Sequence, residues 1–209
     1  MKDIVEGLSN ITKFIRTKIP IFSKDKNSLN YKFLIIGDKS VGKSSFVSKV
    51  INNKFSLEIK PSTETEISNL KLQFGNDKIN IFLLDVLTSE LSNNHGYLFH
   101  GINGAFILYD ITKKDTFDKI NNYVSDVKGN LGNEAPIVII GNKKDLGHLR
   151  EIHEIQLKEK SCHLNCDYYE TSCVDENSVF DIVKFLVLKA YYNSLPLRKQ
   201  NEIKRIFQE

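Results

Sequence analysis

The chain is poor in cysteine and has no long hydrophobic run, and each absence excludes a class of protein. Three cysteines among 209 residues, all between positions 162 and 173, are too few and too clustered for a disulfide framework. No apolar stretch approaches the roughly 18 residues that span a bilayer. The N-terminus also lacks the compact apolar segment and cleavage site of a signal peptide. We therefore expect a cytoplasmic protein with free thiols. Zinc binding by Cys162, His163 and Cys166 is the weaker alternative, because no fourth ligand stands at a useful spacing.

A strong excess of charge is also missing. The net charge is +3, and residues 1–30 carry six basic against three acidic residues, which accounts for the whole excess. The remaining chain is balanced, and this argues against nucleic-acid binding, which needs a basic face. A length of 209 residues is ample for one core, so we expect one domain with extensions.

One short stretch carries a chemical signal. Apolar residues at 33–36 lead into GDKSVGKS, which has the GxxxxGKS spacing of a Walker A loop. In such a loop, successive backbone N–H groups point into one concavity at a helix N-terminus and hold phosphate, whereas the alternative is an ordinary strand-to-helix turn. Lys43 would reach the β/γ-phosphates and Ser44 would place its hydroxyl on Mg²⁺. The predicted phosphate-binding residues are Gly37, Asp38, Lys39, Ser40, Val41, Gly42, Lys43, Ser44 and Ser45.

Strands and helices alternate along the chain. Short apolar runs predict strands at 31–37, 67–74, 79–85, 105–110, 137–141 and 167–171, and GND between the second and third predicts a hairpin. Residues of helical period form two stripes. They are Phe117, Ile120, Val124, Val127 and Leu131, and then Val179, Ile182, Val183, Leu186 and Ala190. This order predicts an α/β fold with a mostly parallel six-stranded sheet and helices on both faces. The glycine loop would lie at the carboxyl edge of that sheet, where such folds bind ligands.

The segment NKKD predicts which base is bound. Asn142, Lys143 and Asp145 directly follow a buried strand. The Asp145 carboxylate can accept from both N1–H and the exocyclic amine of guanine, whereas adenine offers an acceptor at that edge. Alone, NKKD could be a solvated loop. About 100 residues after a Walker A loop, it indicates guanine recognition, with Leu146 beside it.

Four motifs together resemble the Ras superfamily of small GTPases, most closely its Rab branch: GDKSVGKS, ILYDIT at 107–112, GNKKD and YYETSC at 168–173. The resemblance covers residues 31–192 and implies the P-loop fold of small G proteins, leaving an N-terminal extension at 1–30 and a tail at 193–209. It implies binding of GTP and GDP with Mg²⁺ and hydrolysis of GTP. It also places Ser172, Cys173 and Val174 against guanine, although the family usually has Ser-Ala-Lys there. Phe55 would pack across the base, with a core phenylalanine as the alternative.

The hydrolytic half of the predicted site departs from the family. Asp85 fits the carboxylate that holds Mg²⁺ through water, and Ser62 or Thr63 would supply the switch I hydroxyl. After Asp85 the family reads Thr-Ala-Gly-Gln, but this chain reads Val-Leu-Thr-Ser. Ser89 thus stands where a glutamine orients the attacking water, and its side chain is too short to act in the same way. Lys39 occupies a loop position that is usually small, where it would either obstruct an arginine finger or place a cation near the transferred group.

Both ends of the chain also differ from the family. No cysteine follows Cys173, so we expect no prenyl anchor. Residues 1–20 contain an apolar stripe at helical spacing that ends before Pro20. This segment could lie on a membrane surface, pack against the domain or a partner, or remain disordered.

Two hypotheses from different classes follow. The first is a Rab-like GTPase switch in membrane traffic or signalling that hydrolyses GTP slowly, with Lys43 and Ser89 as the catalytic positions. The second is a pseudo-GTPase that holds its nucleotide permanently and presents a fixed interaction surface, and the altered residues 86–90 favour it. A third, an ATP-dependent P-loop enzyme, would require Asp145 to be incidental. We expect a monomer, while the sequence identifies neither the effector nor the exchange factor.

Overall fold

The structure is a computed structural model, and it describes residues 29–52, 65–74, 77–87, 96–174, 178–198 and 200. Its strands are β1 Leu29–Ile36, β2 Glu66–Phe74, β3 Asp77–Asp85, β4 Gly104–Asp110, β5 Ile137–Asn142 and β6 Asp167–Glu170. Its α-helices are α1 Lys43–Asn52, α2 Lys114–Asp118, α3 Ile120–Leu131, α4 Glu154–His163 and α5 Ser178–Ser194. Two 3₁₀ helices cover Gly96–Phe99 and Lys144–Leu149.

The six strands form one sheet in the order β2-β3-β1-β4-β5-β6. Strand β2 pairs antiparallel with β3, in a register running from Glu66 opposite Asp85 to Phe74 opposite Asp77. All other neighbours in the sheet are parallel. The predicted six-stranded, mostly parallel sheet is therefore confirmed, and each strand lies within two residues of its predicted bounds.

Helices cover both faces of the sheet because the central strands are apolar on both sides. In β1, Phe33 and Ile35 pack with α1 and α5, whereas Leu34 and Ile36 pack with α3 and α4. Every residue of β4 and β5 is buried. A strand buried on both faces has no polar alternation, which explains why short continuous apolar runs were the correct signal.

The first predicted helical stripe is split between two helices. Phe117 lies on α2, and Ile120, Val124 and Val127 lie on α3, with a break at Lys119. The second stripe forms the buried side of α5 as predicted. Helix α4 is not predicted by the sequence analysis, because its buried residues are only Leu157 and Ser161 and a two-residue stripe gives little periodic signal.

The parallel strands all end at one edge of the sheet, and the loops that follow them meet there. Strands β1, β3, β4 and β5 end at Ile36, Asp85, Asp110 and Asn142. This is the edge at which open α/β sheets bind ligands. Among the described residues, no helix is both long and apolar enough to cross a bilayer.

Candidate nucleotide-binding site

The loop between β1 and α1 depends on two glycines. Gly37 has φ +150°, and a Cβ there would lie 2.3 Å from the carbonyl oxygen of Leu108. Gly42 has φ +97°, and a Cβ there would lie 2.3 Å from Nδ2 of Asn142. Both positions need a backbone that only glycine adopts easily and space that only glycine leaves free. The loop then enters α1 at Lys43, so it lies at a helix N-terminus, as a phosphate cradle requires.

Lys43 bends back over this loop. Its Nζ donates to the carbonyl oxygens of Gly37 at 2.9 Å and Asp38 at 3.1 Å. Burial lowers the pKa of Lys43, while the carboxylates of Asp85 and Asp38 act in the opposite direction. An ammonium has three donors, so the two carbonyls leave one for a phosphate oxygen.

Ser44 and Asp85 come together although 41 residues separate them. The Ser44 hydroxyl donates to Oδ2 of Asp85 at 2.7 Å, and Asp85 is 3% exposed. A hydroxyl and a carboxylate at hydrogen-bond distance are the hard oxygen donors that Mg²⁺ prefers, so this pair fits the predicted metal site.

A hydrogen bond joins the loop predicted to read the base, residues 142–145, to the loop predicted to hold phosphate, residues 37–44, which is called the phosphate loop below. Nδ2 of Asn142 donates to the carbonyl oxygen of Val41 at 2.8 Å, and Asn142 is 2% exposed. On its other side, the Cys173 thiol lies 3.5 Å from Oδ1 of Asn142. Asn142 therefore joins three loops at the carboxyl edge of the sheet.

Asp145 and Ser172 form the next contact. The Ser172 hydroxyl donates to Oδ1 of Asp145 and accepts from the backbone N–H of Val174 at 3.1 Å. Asp145 is exposed, and Leu146 beside it is half-buried. The burial that would sharpen base selection must therefore come from the base itself and from residues that cover it.

Asp110 is a residue that the sequence analysis missed as part of this site. It ends the fully buried strand β4, and its Oδ2 lies 2.6 Å from Nζ of Lys143. Burial would raise the pKa of Asp110, but hydrogen bonds from Lys143 and Thr112 outweigh it and hold that pKa below its ordinary value. An acidic residue at the end of an apolar strand was the available signal.

Asp38 also has partners that the sequence did not indicate. Its carboxylate accepts from Nζ of Lys119 at 2.6 Å and from the hydroxyl of Tyr123 at 2.5 Å. These residues lie 81 and 85 positions away, and no motif includes them. The side chain of Asp38 is thus held by the start of α3, while its carbonyl oxygen accepts from Lys43.

The structure brings most of the predicted site residues to one edge of the sheet. Lys39 and Ser40 are exposed on the phosphate loop, Ser40 with φ +66°, and Ser45 is half-buried on α1. Predictions for Phe55, Ser62, Thr63 and Ser89 lie outside the described residues. The roles assigned to all these residues remain predictions.

The three cysteines are free thiols in different surroundings. Cys162 is exposed on α4, Cys166 is half-buried and donates to the carbonyl oxygen of Leu164, and Cys173 is buried. Across the described ranges, no group of three or more His, Cys, Asp or Glu side chains is arranged to hold a metal ion.

Comparison with known proteins identifies the family. The model of the Ras family matches residues 32–192. Ras-related protein Rab-11A of Dictyostelium discoideum is 31% identical over 159 residues, covering 75% of this chain and 74% of that protein. Ras-related protein RABA4c of Arabidopsis thaliana is 32% identical over 151 residues, covering 71% and 67%. Human Ras-related protein Rab-21 is 28% identical over 154 residues, covering 73% and 68%. The chain therefore belongs to the Ras superfamily of small GTPases, and it is most similar to the Rab branch.

Proposed function

We propose that the chain binds GTP and GDP with Mg²⁺ and acts as a switch that hydrolyses GTP slowly. The observation that carries this proposal is the 2.8 Å hydrogen bond from Asn142 to the carbonyl oxygen of Val41. It ties the loop predicted to read the base to the loop predicted to hold the phosphates. The two ends of one nucleotide would thereby be gripped at a fixed spacing, which is a basis for tight binding.

Each end of the site has a clear chemical task. Asp145 would accept from N1–H and the amine of guanine, and a carboxylate has enough acceptor sites to keep the Ser172 hydroxyl as well. Lys43 and the N-terminus of α1 would neutralise phosphate charge. Ser44 and Asp85 would hold Mg²⁺, which when bound neutralises charge on the β- and γ-phosphate oxygens.

The test is calorimetric titration with GDP, ADP and xanthosine diphosphate. We expect the wild-type chain to prefer GDP over ADP by about 10⁴-fold or more, because adenine does not offer the Asp145 carboxylate the two donors that guanine supplies. In Asp145→Asn the amide replaces one acceptor by a donor, so preference should move toward xanthine, which has a carbonyl where guanine has an amine. Asp118→Asn makes the same change in a carboxylate that pairs with Lys114 outside the site, so it should leave the affinities for all three nucleotides unchanged. Equal wild-type affinities for GDP and ADP would contradict the proposal.

Slow hydrolysis is proposed from sequence, because Ser89 lies outside the described residues. A serine is shorter than the glutamine that orients water in the family, so the wild-type rate should lie below about 10⁻⁴ s⁻¹. Single-turnover measurements on the wild type and Ser89→Gln test this, and the variant is expected to be faster with unchanged nucleotide dissociation. A wild-type rate of about 10⁻² s⁻¹ or above would show that another residue positions the water.

One observation favours the second function, a pseudo-GTPase with a fixed surface. Val86, which directly follows Asp85, is fully buried, and its backbone N–H donates to the carbonyl oxygen of Ile35 at 3.1 Å. A residue anchored in this way resists rearrangement. Hydrogen exchange over residues 55–100 with GDP and with a GTP analogue separates the two functions. A difference supports a switch, and identical exchange supports the fixed module.

A further inference from the structure

Asp38 connects the phosphate loop to the start of helix α3 through its side chain. Both carboxylate oxygens of Asp38 are occupied, by Nζ of Lys119 at 2.6 Å and by the Tyr123 hydroxyl at 2.5 Å. The Asp38 side chain is 13% exposed and that of Lys119 is 51% exposed. The contact is therefore largely buried on the side of Asp38 and exposed to solvent on the side of Lys119.

The two donors stand on a rigid support. Tyr123 is 6% exposed and belongs to the core between the sheet and α3. Lys119 lies at the junction of α2 and α3, where its carbonyl oxygen accepts from the backbone N–H groups of Asn122 and Tyr123 at 3.1 and 3.3 Å. The backbone at Lys119 and the buried side chain of Tyr123 are thus held by α3.

The backbone of the same aspartate holds the phosphate-binding lysine. The carbonyl oxygen of Asp38 accepts from Nζ of Lys43 at 3.1 Å. We propose that Lys119 and Tyr123 are positioning residues for the phosphate loop. The contacts of Lys119 and Tyr123 with the Asp38 side chain, called the clamp below, hold the backbone carbonyl of Asp38 in place. That carbonyl in turn positions the Lys43 ammonium to contact phosphate. For its effect on nucleotide, this inference rests on the proposed function.

Charge gives the clamp a second role. A bare carboxylate on the phosphate loop would repel a polyanion. Asp38 lies close to the lysine predicted to meet phosphate, because its carbonyl oxygen accepts from Nζ of Lys43 at 3.1 Å. Lys119 offsets that charge without entering the loop itself. Removing the lysine should therefore weaken phosphate binding twice, through a looser loop and through an uncompensated negative charge.

The experiment measures release of a fluorescent GDP analogue from the full chain with Mg²⁺. Lys119→Met should release the analogue about fivefold faster, which is the largest effect expected from losing a partly exposed ion pair. Tyr123→Phe, which removes one hydrogen bond, should release it about threefold faster. Lys119→Arg keeps the charge and should behave as wild type. Lys114→Met is the matched control, because it removes a lysine of the preceding helix that pairs with Asp118 instead.

A second measurement separates positioning from general stability. In an Asp38→Asn background, Lys119→Met should add no further acceleration, because the clamp has already lost its ion pair. Hydrogen exchange of residues 37–44, measured without added nucleotide, should rise in Lys119→Met at unchanged melting temperature.

The outcomes are distinguishable. A wild-type rate for Lys119→Met, or an equal acceleration with and without the Asp38 carboxylate, would overturn the clamp. If the wild-type chain fails to bind the analogue, the proposed function fails. The exchange measurement then decides alone whether Lys119 orders the phosphate loop.

Discussion

Replacing Gly42 with alanine is expected to destabilise the domain through one identifiable collision. Gly42 has φ +97°, and the added Cβ would lie 2.3 Å from Nδ2 of Asn142. That amide is buried and donates to the carbonyl oxygen of Val41. It cannot move away from the new methyl group without losing this hydrogen bond.

The cost follows from two effects. A non-glycine residue held in the left-handed region costs about 1–3 kcal/mol. Leaving the Val41 carbonyl without its buried donor costs about 1–3 kcal/mol more. The free energy of unfolding should therefore fall by about 2–6 kcal/mol, a large part of the roughly 5–15 kcal/mol that stabilises an ordinary domain.

Urea unfolding of Gly42→Ala, Asn142→Ala and the double variant measures both effects. The collision needs both side chains, so the double variant should lose at least about 1 kcal/mol less than the sum of the single losses. Gly129→Ala is the control, because a Cβ on this exposed glycine of α3 meets nothing within 4 Å. It should stabilise the helix by about 0.5–1 kcal/mol. The reasoning is refuted if Gly42→Ala unfolds like wild type, or if the two single losses simply add.

Three further predictions concern thiols, a buried ion pair and acid stability. Burial raises the pKa of Cys173 to about 11 from an ordinary 9.0, so it should carry about a hundredfold less thiolate than an ordinary thiol. Because it is also buried, it should react with a maleimide far more slowly than exposed Cys162, and equal rates would contradict this. The Arg150 guanidinium donates to both carboxylate oxygens of Glu170, at 2.6 and 2.9 Å. Glu170→Gln leaves this guanidinium without its counter-charge, so the free energy of unfolding measured in urea should fall by about 3 kcal/mol. Because the pKa of Asp110 is lowered in the folded protein, its stabilising contribution is present above about pH 3.8 and is lost as the pH falls through its folded-state pKa. The free energy of unfolding of Asp110→Asn should therefore depend less on acid pH than that of the wild type. Identical acid profiles would argue against this.

The sheet was predictable because strands buried on both faces are read directly as apolar runs. The residues of β1 alternate between two cores, yet no polar residue interrupts Phe33 to Ile36, so the run itself was the signal. Helix α4 was not predictable in this way. It buries only Leu157 and Ser161, and its hydrophobic period is too weak to detect.

The candidate site was predictable wherever its residues are neighbours in sequence. The loop before α1 and the segment NKKD each contain their own chemistry, and the structure adds the hydrogen bond from Asn142 to Val41 that joins them. The exposure of Asp145 was not foreseen, because burial at a loop depends on what packs above it.

The clamp on Asp38 shows what topology adds to a motif. Strands β1 and β4 are neighbours in the sheet and parallel, so the loop after β1 and the connection after β4 emerge side by side. This arrangement allows Lys119 to contact the phosphate loop, even though 81 positions separate it from Asp38. Strand order alone limits the partners of Asp38 to the segments that follow β3 and β4, the two parallel neighbours of β1. After β4, the contacts fall on Lys119, at the break between α2 and α3, and on Tyr123 in the first turn of α3. The residues predicted to contact the nucleotide thus lie in local sequence motifs, whereas the partners of Asp38 are brought to it only by the fold.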